Sequence, residues 1–310
     1  MKRIIFGITN LEVGGAERVL VDLANKLKNE YEITIFTIYG NGDLLKELNK
    51  DIKVISLTNK KYNDLSSFSK KRFSFMFSSK MILNLIYSKY IKNHFDTEIA
   101  FLEGPITSLF ACKSDSRKIA WVHTNMAKHV KSDLRKQQYE KDYQTYNQII
   151  FVSHDALDNF NNLFEVSADK KVIYNYMDTN SVIKKSLAYV PKEMKKNTFV
   201  PSFVSVCRLV TAKGIDRLLL VSKKLIEDGY NHKIYIVGDG PEYNYINNLI
   251  NKLEMKEYFI LIGKKDNPYP YMKRADYFIL PSVYEGFGMV LIEAMCLGKT
   301  IIITNTGAKE

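Results

Sequence analysis

Short runs of β-branched and aliphatic residues alternate with longer stretches whose apolar positions recur at helical spacing. The runs predicted as strands are Arg3–Ile8, Ile33–Ile38, Lys53–Leu57, Glu98–Leu102, Lys118–Val122, Ile149–Val152 and Val172–Tyr174. Between the first two, Ala16–Lys28 carries Val19, Leu20, Leu23, Ala24 and Leu27 on one helical face. Ser153 is placed to cap a helix running through Phe160. The rhythm breaks over residues 176–201, which are polar, rich in lysine and hold Pro191 and Pro201. It restarts at Phe203–Val206, with further strands predicted at Lys233–Val237, Tyr258–Ile262, Tyr277–Leu280 and Thr300–Thr304. Helices are predicted near Ile215–Glu227, Glu242–Leu253 and Met289–Leu297.

Alternating βα units on both sides of a break predict an α/β protein of two Rossmann-like, doubly wound parallel-sheet domains. The predicted division is an N-terminal domain over 1–178, a linker over 179–200 and a C-terminal domain over 201–310. A length of 310 residues agrees with about two domains. In such sheets ligands bind outside the carboxyl ends of the strands, and two sheets facing each other would enclose a central cleft.

Composition narrows the class. Apolar residues at 46% and charged residues at 25% suit a folded chain with a large core. No run of 18 apolar residues predicts a membrane span, and Met1–Ile8 turns polar too early for a signal peptide. Three scattered cysteines, Cys112, Cys207 and Cys296, suggest neither a disulfide framework nor a zinc site, and a reducing cytoplasm is the expected location. The net charge of +11 is uneven. Residues 1–190 carry 28 Lys and Arg against 21 Asp and Glu, while 60–95 alone carries eight against Asp64. That one segment therefore holds the whole surplus. It interleaves Lys70, Lys71, Arg72 and Lys80 with Phe68, Phe73, Phe75, Phe77, Met81 and Leu85, a pattern suited to an anionic lipid surface. The alternative is an ordinary solvated helix face. No nucleic-acid motif accompanies the charge, so nucleic acid is not an expected partner.

Four turns carry candidate chemistry. The first, Thr9 to Arg18, places Gly14 and Gly15 before a helix, where free N–H groups can meet an anion. It lacks both the dinucleotide G-x-G-x-x-G spacing and the ATPase-type phosphate loop. The second sends Arg208 off a strand end with Lys213 five residues on, and two such cations suit a diphosphate. The third, Val237 to Glu242, sets Gly238 and Gly240 before Pro241 at a helix start, where backbone can approach a ligand closely. The fourth runs Pro281-Ser282-Val283-Tyr284-Glu285-Gly286-Phe287-Gly288 into a helix carrying Glu293 among Met289, Val290, Leu291, Ile292, Ala294 and Met295. Glu285 is expected at a site floor beside exposed N–H groups, and Glu293 needs partners, for which sugar hydroxyls are natural. His123 follows the strand Lys118–Val122 directly.

These four motifs, in this order, resemble glycosyltransferase family 4, whose members are retaining, nucleotide-sugar-dependent enzymes of the two-domain GT-B architecture. The resemblance runs from Ile4 to Gly307. It implies that Arg208 and Lys213 hold the donor diphosphate and that Glu285, with Gly286, Phe287 and Gly288 around it, meets the transferred sugar. It further implies that Glu293 binds the ribose, that Gly15 backs the phosphates and that His123 lies near the reacting sugar. The implied donor is a UDP-sugar. The implied acceptor is a saccharide, lipid-linked in bacterial capsule or lipopolysaccharide assembly, met by a cytoplasmic enzyme resting on the membrane. No Asp-x-Asp pair ends an apolar strand, so a metal bridging the phosphates is not expected. The family's pattern continues with more βα structure and a tail helix, so the chain reads as truncated at Glu310. A nucleotide-sugar epimerase of the same architecture, a non-catalytic nucleotide-sugar-binding protein and a polyanion-binding module are the rival readings.

Overall fold

A computed structural model describes the chain except for residues 93, 129, 131, 195–198, 284, 286 and 307–310. The chain forms two compact units, Met1–Met177 and Asp178 onward.

The first unit opens with β1 (Arg3–Ile8), α1 (Gly15–Leu27), β2 (Glu32–Tyr39) and β3 (Lys53–Thr58). Helices α2 (Ser67–Ser78) and α3 (Lys80–Tyr90) lead to β4 (Thr97–Ala100), α4 (Pro105–Phe110) and β5 (Arg117–Val122). Helix α5 (Asp133–Tyr143), β6 (Gln148–Phe151), α6 (His154–Leu163) and β7 (Asp169–Val172) complete it. All seven strands are parallel, in the order β3-β2-β1-β4-β5-β6-β7. Strands such as Ile33–Tyr39 are buried along their whole length, as expected of a sheet covered on both faces. Ser153 caps α6 by accepting from the Ala156 N–H at 3.1 Å, the N-cap read from the sequence. The core beneath one face gathers Phe36, Tyr87, Phe110, Tyr143, Phe151 and Phe160. At its edge lies a buried polar knot that no motif announces. Lys118 Nζ donates to Glu98 Oε2 at 2.9 Å and to the Phe110 carbonyl at 2.6 Å, and Tyr87 donates to Glu98 at 2.7 Å.

The second unit begins with α7 (Thr179–Ser186), inside the stretch read as linker. Asp178 caps it through the Ser181 N–H at 3.0 Å, and its Val182 is buried. A cap and one apolar face therefore outweigh the polar composition. The rest alternates strictly: β8 (Ser202–Val206), α8 (Ile215–Glu227), β9 (Lys233–Val237), α9 (Tyr243–Lys252), β10 (Phe259–Gly263), α10 (Tyr269–Arg274), β11 (Tyr277–Leu280), α11 (Met289–Cys296) and β12 (Thr300–Ile303). The five strands are parallel, in the order β10-β9-β8-β11-β12.

Each sheet reverses its winding once. In the first unit successive strands leave β1 toward β2 and β3, then resume on its other side at β4. In the second they leave β8 toward β9 and β10, then resume at β11. Loops after β1 and β4, and after β8 and β11, thus part at the strands' carboxyl ends, where this architecture binds ligands.

Candidate functional site

In the second unit the two loops at the winding reversal carry most of the predicted residues. After β8 the chain passes exposed Arg208, makes a single 3-10 turn over Thr211–Lys213 and enters α8 through Gly214. Gly214 is left-handed at φ 62°, and a β-carbon there would stand 2.5 Å from the Pro281 carbonyl oxygen. Only glycine satisfies both demands. The loop after β11 is tied to this turn by the Val283 N–H donating to the Ala212 carbonyl at 2.8 Å and by Arg217 donating to the Pro281 carbonyl at 3.2 Å.

The side chains converge. Lys213 Nζ donates to Glu285 Oε1, and Ser282 Oγ donates to the same oxygen at 2.6 Å. Glu285 is buried to all but 9% of its surface, while Oε2 has no partner among the described residues. The Arg208 guanidinium also lacks an ion-pair partner among the described residues. The loops at the carboxyl ends of two adjacent strands thus bring together the Lys213–Glu285 ion pair and the start of α11, with Arg208 on the loop after β8. Phe287 is half-buried beside Gly288, which is left-handed (φ 69°) and caps α11. Gly286 lies outside the described residues.

Gly238 and Gly240 pack closely against backbone of the loop after β8. A β-carbon on Gly238 would lie 1.8 Å from the Cys207 carbonyl oxygen, and one on Gly240 would lie 2.3 Å from that of Leu209. The Leu209 N–H donates to the Asp239 carbonyl at 3.0 Å, and Thr211 Oγ1 donates to Glu242 Oε1 at 2.5 Å. The third turn therefore clasps the loop that carries Arg208. Glu293, half-buried on α11, accepts from the Tyr269 hydroxyl at 3.0 Å. This tyrosine partner and Ser282 were not singled out from the sequence, since neither stands at a distinctive spacing.

In the first unit Gly14 is extended and caps α1, and the Glu17 carboxylate folds over it. Among the described residues nothing lies within 4 Å of the position a Gly15 β-carbon would take, so they leave that side of the turn open. Burial raises the Glu17 pKa, against a hydrogen bond to its own backbone, and Glu12 and Glu103 raise it further. Arg18 is committed elsewhere, in a bidentate pair with Glu47 at 2.5 and 2.9 Å.

His123 leaves β5 and is 8% exposed. Burial pushes its pKa down to about 4, against the opposing influence of Glu103 and a hydrogen bond to the Phe101 backbone. Its Nε2 has no hydrogen-bond partner among the described residues. Glu103, from the turn after β4, accepts at Oε1 from the His123 N–H at 2.5 Å, the Thr124 N–H at 2.6 Å and the Thr124 hydroxyl at 3.2 Å. Sequence reading passed over Glu103. The available signal was an acid followed by Gly104-Pro105 directly after a strand.

Residues 13–181 match Glycosyltransferase Family 4, and residues 190–309 match Glycosyl transferases group 1. One relative is N-acetylgalactosamine-N,N'-diacetylbacillosaminyl-diphospho-undecaprenol 4-alpha-N-acetylgalactosaminyltransferase of Campylobacter jejuni. It is 27% identical over 327 residues, covering 100% of this chain and 83% of its own. Another is the O-antigen biosynthesis glycosyltransferase WclY of Escherichia coli, 25% identical over 98% of this chain and 80% of its own. Among solved structures, Anabaena HepE in complex with UDP and glucose superposes with a TM-score of 0.73 at 18% identity, covering 99% of this chain and 82% of that one. The two parallel sheets are those of the GT-B glycosyltransferases, and the epimerase reading is not favoured. With family matches across both units and the strand-end loops arranged as described, this chain belongs to glycosyltransferase family 4.

Proposed function

We propose that this transferase moves a sugar from a UDP-sugar to a lipid-linked saccharide with retention of anomeric configuration and without a metal ion. The observation that carries the reading is the pairing of Lys213 with Glu285 at the winding reversal of the five-stranded sheet, on the same loop as exposed Arg208. Diphosphate charge grows as the anomeric C–O bond loosens toward an oxocarbenium ion. Arg208 and Lys213 stabilise that charge, and losing one such contact costs about 10²–10³ in rate. The acceptor hydroxyl approaches from the face the diphosphate leaves, and the diphosphate takes its proton. Glu285, through Oε2, holds hydroxyls of the transferred sugar, and Gly286, Phe287 and Gly288, which follow it in sequence, contribute to donor binding. Glu293 holds the ribose beside Tyr269. Gly14, Gly15, Gly238 and Gly240 approach the donor by backbone, the last two also shaping the Arg208 loop, and His123 meets the reacting sugar. The donor class is supported by the UDP bound to HepE, and the acceptor class by the undecaprenol-linked acceptor in the Campylobacter relative's name.

The same reading makes the protein peripheral on the cytoplasmic face of a membrane. Among the described residues no helix is long and apolar enough to cross one. Helix α2 exposes Phe68, Lys71, Arg72 and Phe75 at i, i+3, i+4 and i+7, and α3 exposes Met81 and Leu85 beside Lys80 and Lys89. Residues 65–95 contain no acid. Phe73, Met76, Phe77 and Ile82 pack inward instead, so the lipid-surface reading rests on the exposed face alone.

The deciding experiment incubates isotope-labelled UDP-sugars with lipid-linked saccharides and reads product linkage by NMR. The expected product keeps the donor's anomeric configuration. UDP binding without turnover of any donor would leave a nucleotide-sugar-binding protein, and absence of both overturns the proposal.

A further inference from the structure

Strand β5 sets two rings on one face of the seven-stranded sheet. Alternation puts Trp121 and His123 on the same side, opposite Ala120 and Val122, which belong to the core beneath. The two ring centroids are 6.1 Å apart with planes inclined by 18°, and Phe101 lies 4.8 Å from one and 4.7 Å from the other. Both residues are more than nine-tenths buried. Each holds a nitrogen, Trp121 Nε1 and His123 Nε2, with no hydrogen-bond partner among the described residues.

The two nitrogens are chemically complementary. An indole N–H can only donate. Burial keeps the His123 ring neutral, and a neutral imidazole has one acceptor nitrogen, a role open to the unpartnered Nε2. Buried groups of this kind are costly unless a partner arrives, and one hydroxyl can accept from the first and donate to the second. The Glu103 carboxylate beside them favours a neutral partner over an anion, and its Oε2 has no partner among the described residues.

We propose that Trp121 is a sugar-recognition residue: its indole N–H donates to, and His123 Nε2 accepts from, a hydroxyl of a saccharide bound at the carboxyl end of the seven-stranded sheet. Glu103 is the positioning residue, because its three hydrogen bonds hold the turn that carries His123. The inference rests on the transferase reading for its ligand class and goes beyond it in the residues assigned.

Trp121 is the chain's single tryptophan, so intrinsic fluorescence reports this position without labelling. UDP, UDP-glucose, UDP-N-acetylglucosamine, UDP-N-acetylgalactosamine and a prenyl-diphosphate-linked disaccharide are titrated into the full chain. A saturable change in Trp121 emission is expected with a saccharide and not with UDP. Whether a UDP-sugar or the lipid-linked disaccharide produces it identifies the hydroxyl as the donor's or the acceptor's. Trp121→Phe keeps an aromatic ring, though a smaller one, and removes the N–H, so KM for that saccharide should rise about tenfold with kcat little changed. A deoxy analogue lacking the hydroxyl should lose affinity for the wild type but not for Trp121→Phe. Glu103→Gln should lower kcat and Glu103→Asp partly restore it. Emission indifferent to every saccharide, or Trp121→Phe with unchanged KM and only a lower Tm, overturns the assignment. Loss of UDP binding by calorimetry concerns the Lys213 site and the transferase reading instead, and leaves the fluorescence result to decide on Trp121.

Discussion

Lys213 and Glu285, 72 residues apart in sequence, form an ion pair between loops of adjacent strands, with Ser282 sharing the same carboxylate oxygen. The cation proposed for the diphosphate is therefore held by an acid before any phosphate is present. Phosphate must share Lys213 or displace Glu285 from it. The two substitutions should then differ in their effect on UDP binding. Calorimetry should find binding weakened at least tenfold in Lys213→Ala and unchanged or tighter in Glu285→Gln, while transfer in Glu285→Gln falls by about 10² or more. Unchanged affinity in both Lys213→Ala and Arg208→Ala would remove the diphosphate assignment.

On the proposed metal-free mechanism, Arg208 and Lys213 take the part that a bridging metal ion would play on the diphosphate. Transfer should therefore proceed at an undiminished rate in excess EDTA. Loss of turnover that manganese or magnesium restores would contradict the metal-free reading.

The exposed faces of α2 and α3 predict salt-sensitive attachment to lipid. A cation near an anionic surface contributes about 1 kcal/mol, so several together give reversible binding. Co-sedimentation should occur with vesicles containing anionic lipid, decline as salt rises and drop sharply in Lys71→Glu/Arg72→Glu. Phe75→Ser should weaken it through lost apolar insertion rather than lost charge. Indifference to anionic vesicles at low salt would show these helices to be an ordinary solvated face.

Burial of His123 predicts an acid-side loss of stability. Its pKa is pushed from 6.5 to about 4 in the folded state, so the unfolded chain binds the extra proton as pH falls through that interval. Stability linked to this group is fully present above about pH 6.5 and declines toward pH 4, by roughly 3 kcal/mol in all. Urea unfolding from pH 7.5 to 4.5 should show that slope in the wild type. The slope should be shallower in His123→Gln, and equal slopes would mean that the imidazole does not titrate as its burial requires.

Elements whose pattern is periodic were legible from the sequence alone. Strand Arg3–Ile8 was read with its observed ends, as were Lys233–Val237 and Tyr277–Leu280, because buried parallel strands are unbroken apolar runs between turn residues. The helix at 179–186 was not, since its one buried valine and its aspartate cap are invisible within a lysine-rich stretch.

Local sequence likewise determined which loops could carry chemistry: a strand end, a glycine and a charge are neighbours along the chain. Tertiary structure alone decided what each of those residues touches. Strand order brings the loops after β8 and β11 together, so only the fold pairs Lys213 with Glu285 and turns Gly238 and Gly240 into a clasp on Cys207 and Leu209. It also placed Glu103 under His123 and left Trp121 Nε1 and His123 Nε2 as neighbours without partners among the described residues. Propensity and periodicity act within a turn or two of chain. Partnership between buried polar groups depends on which strands become neighbours, and that is set by the packing of the whole sheet.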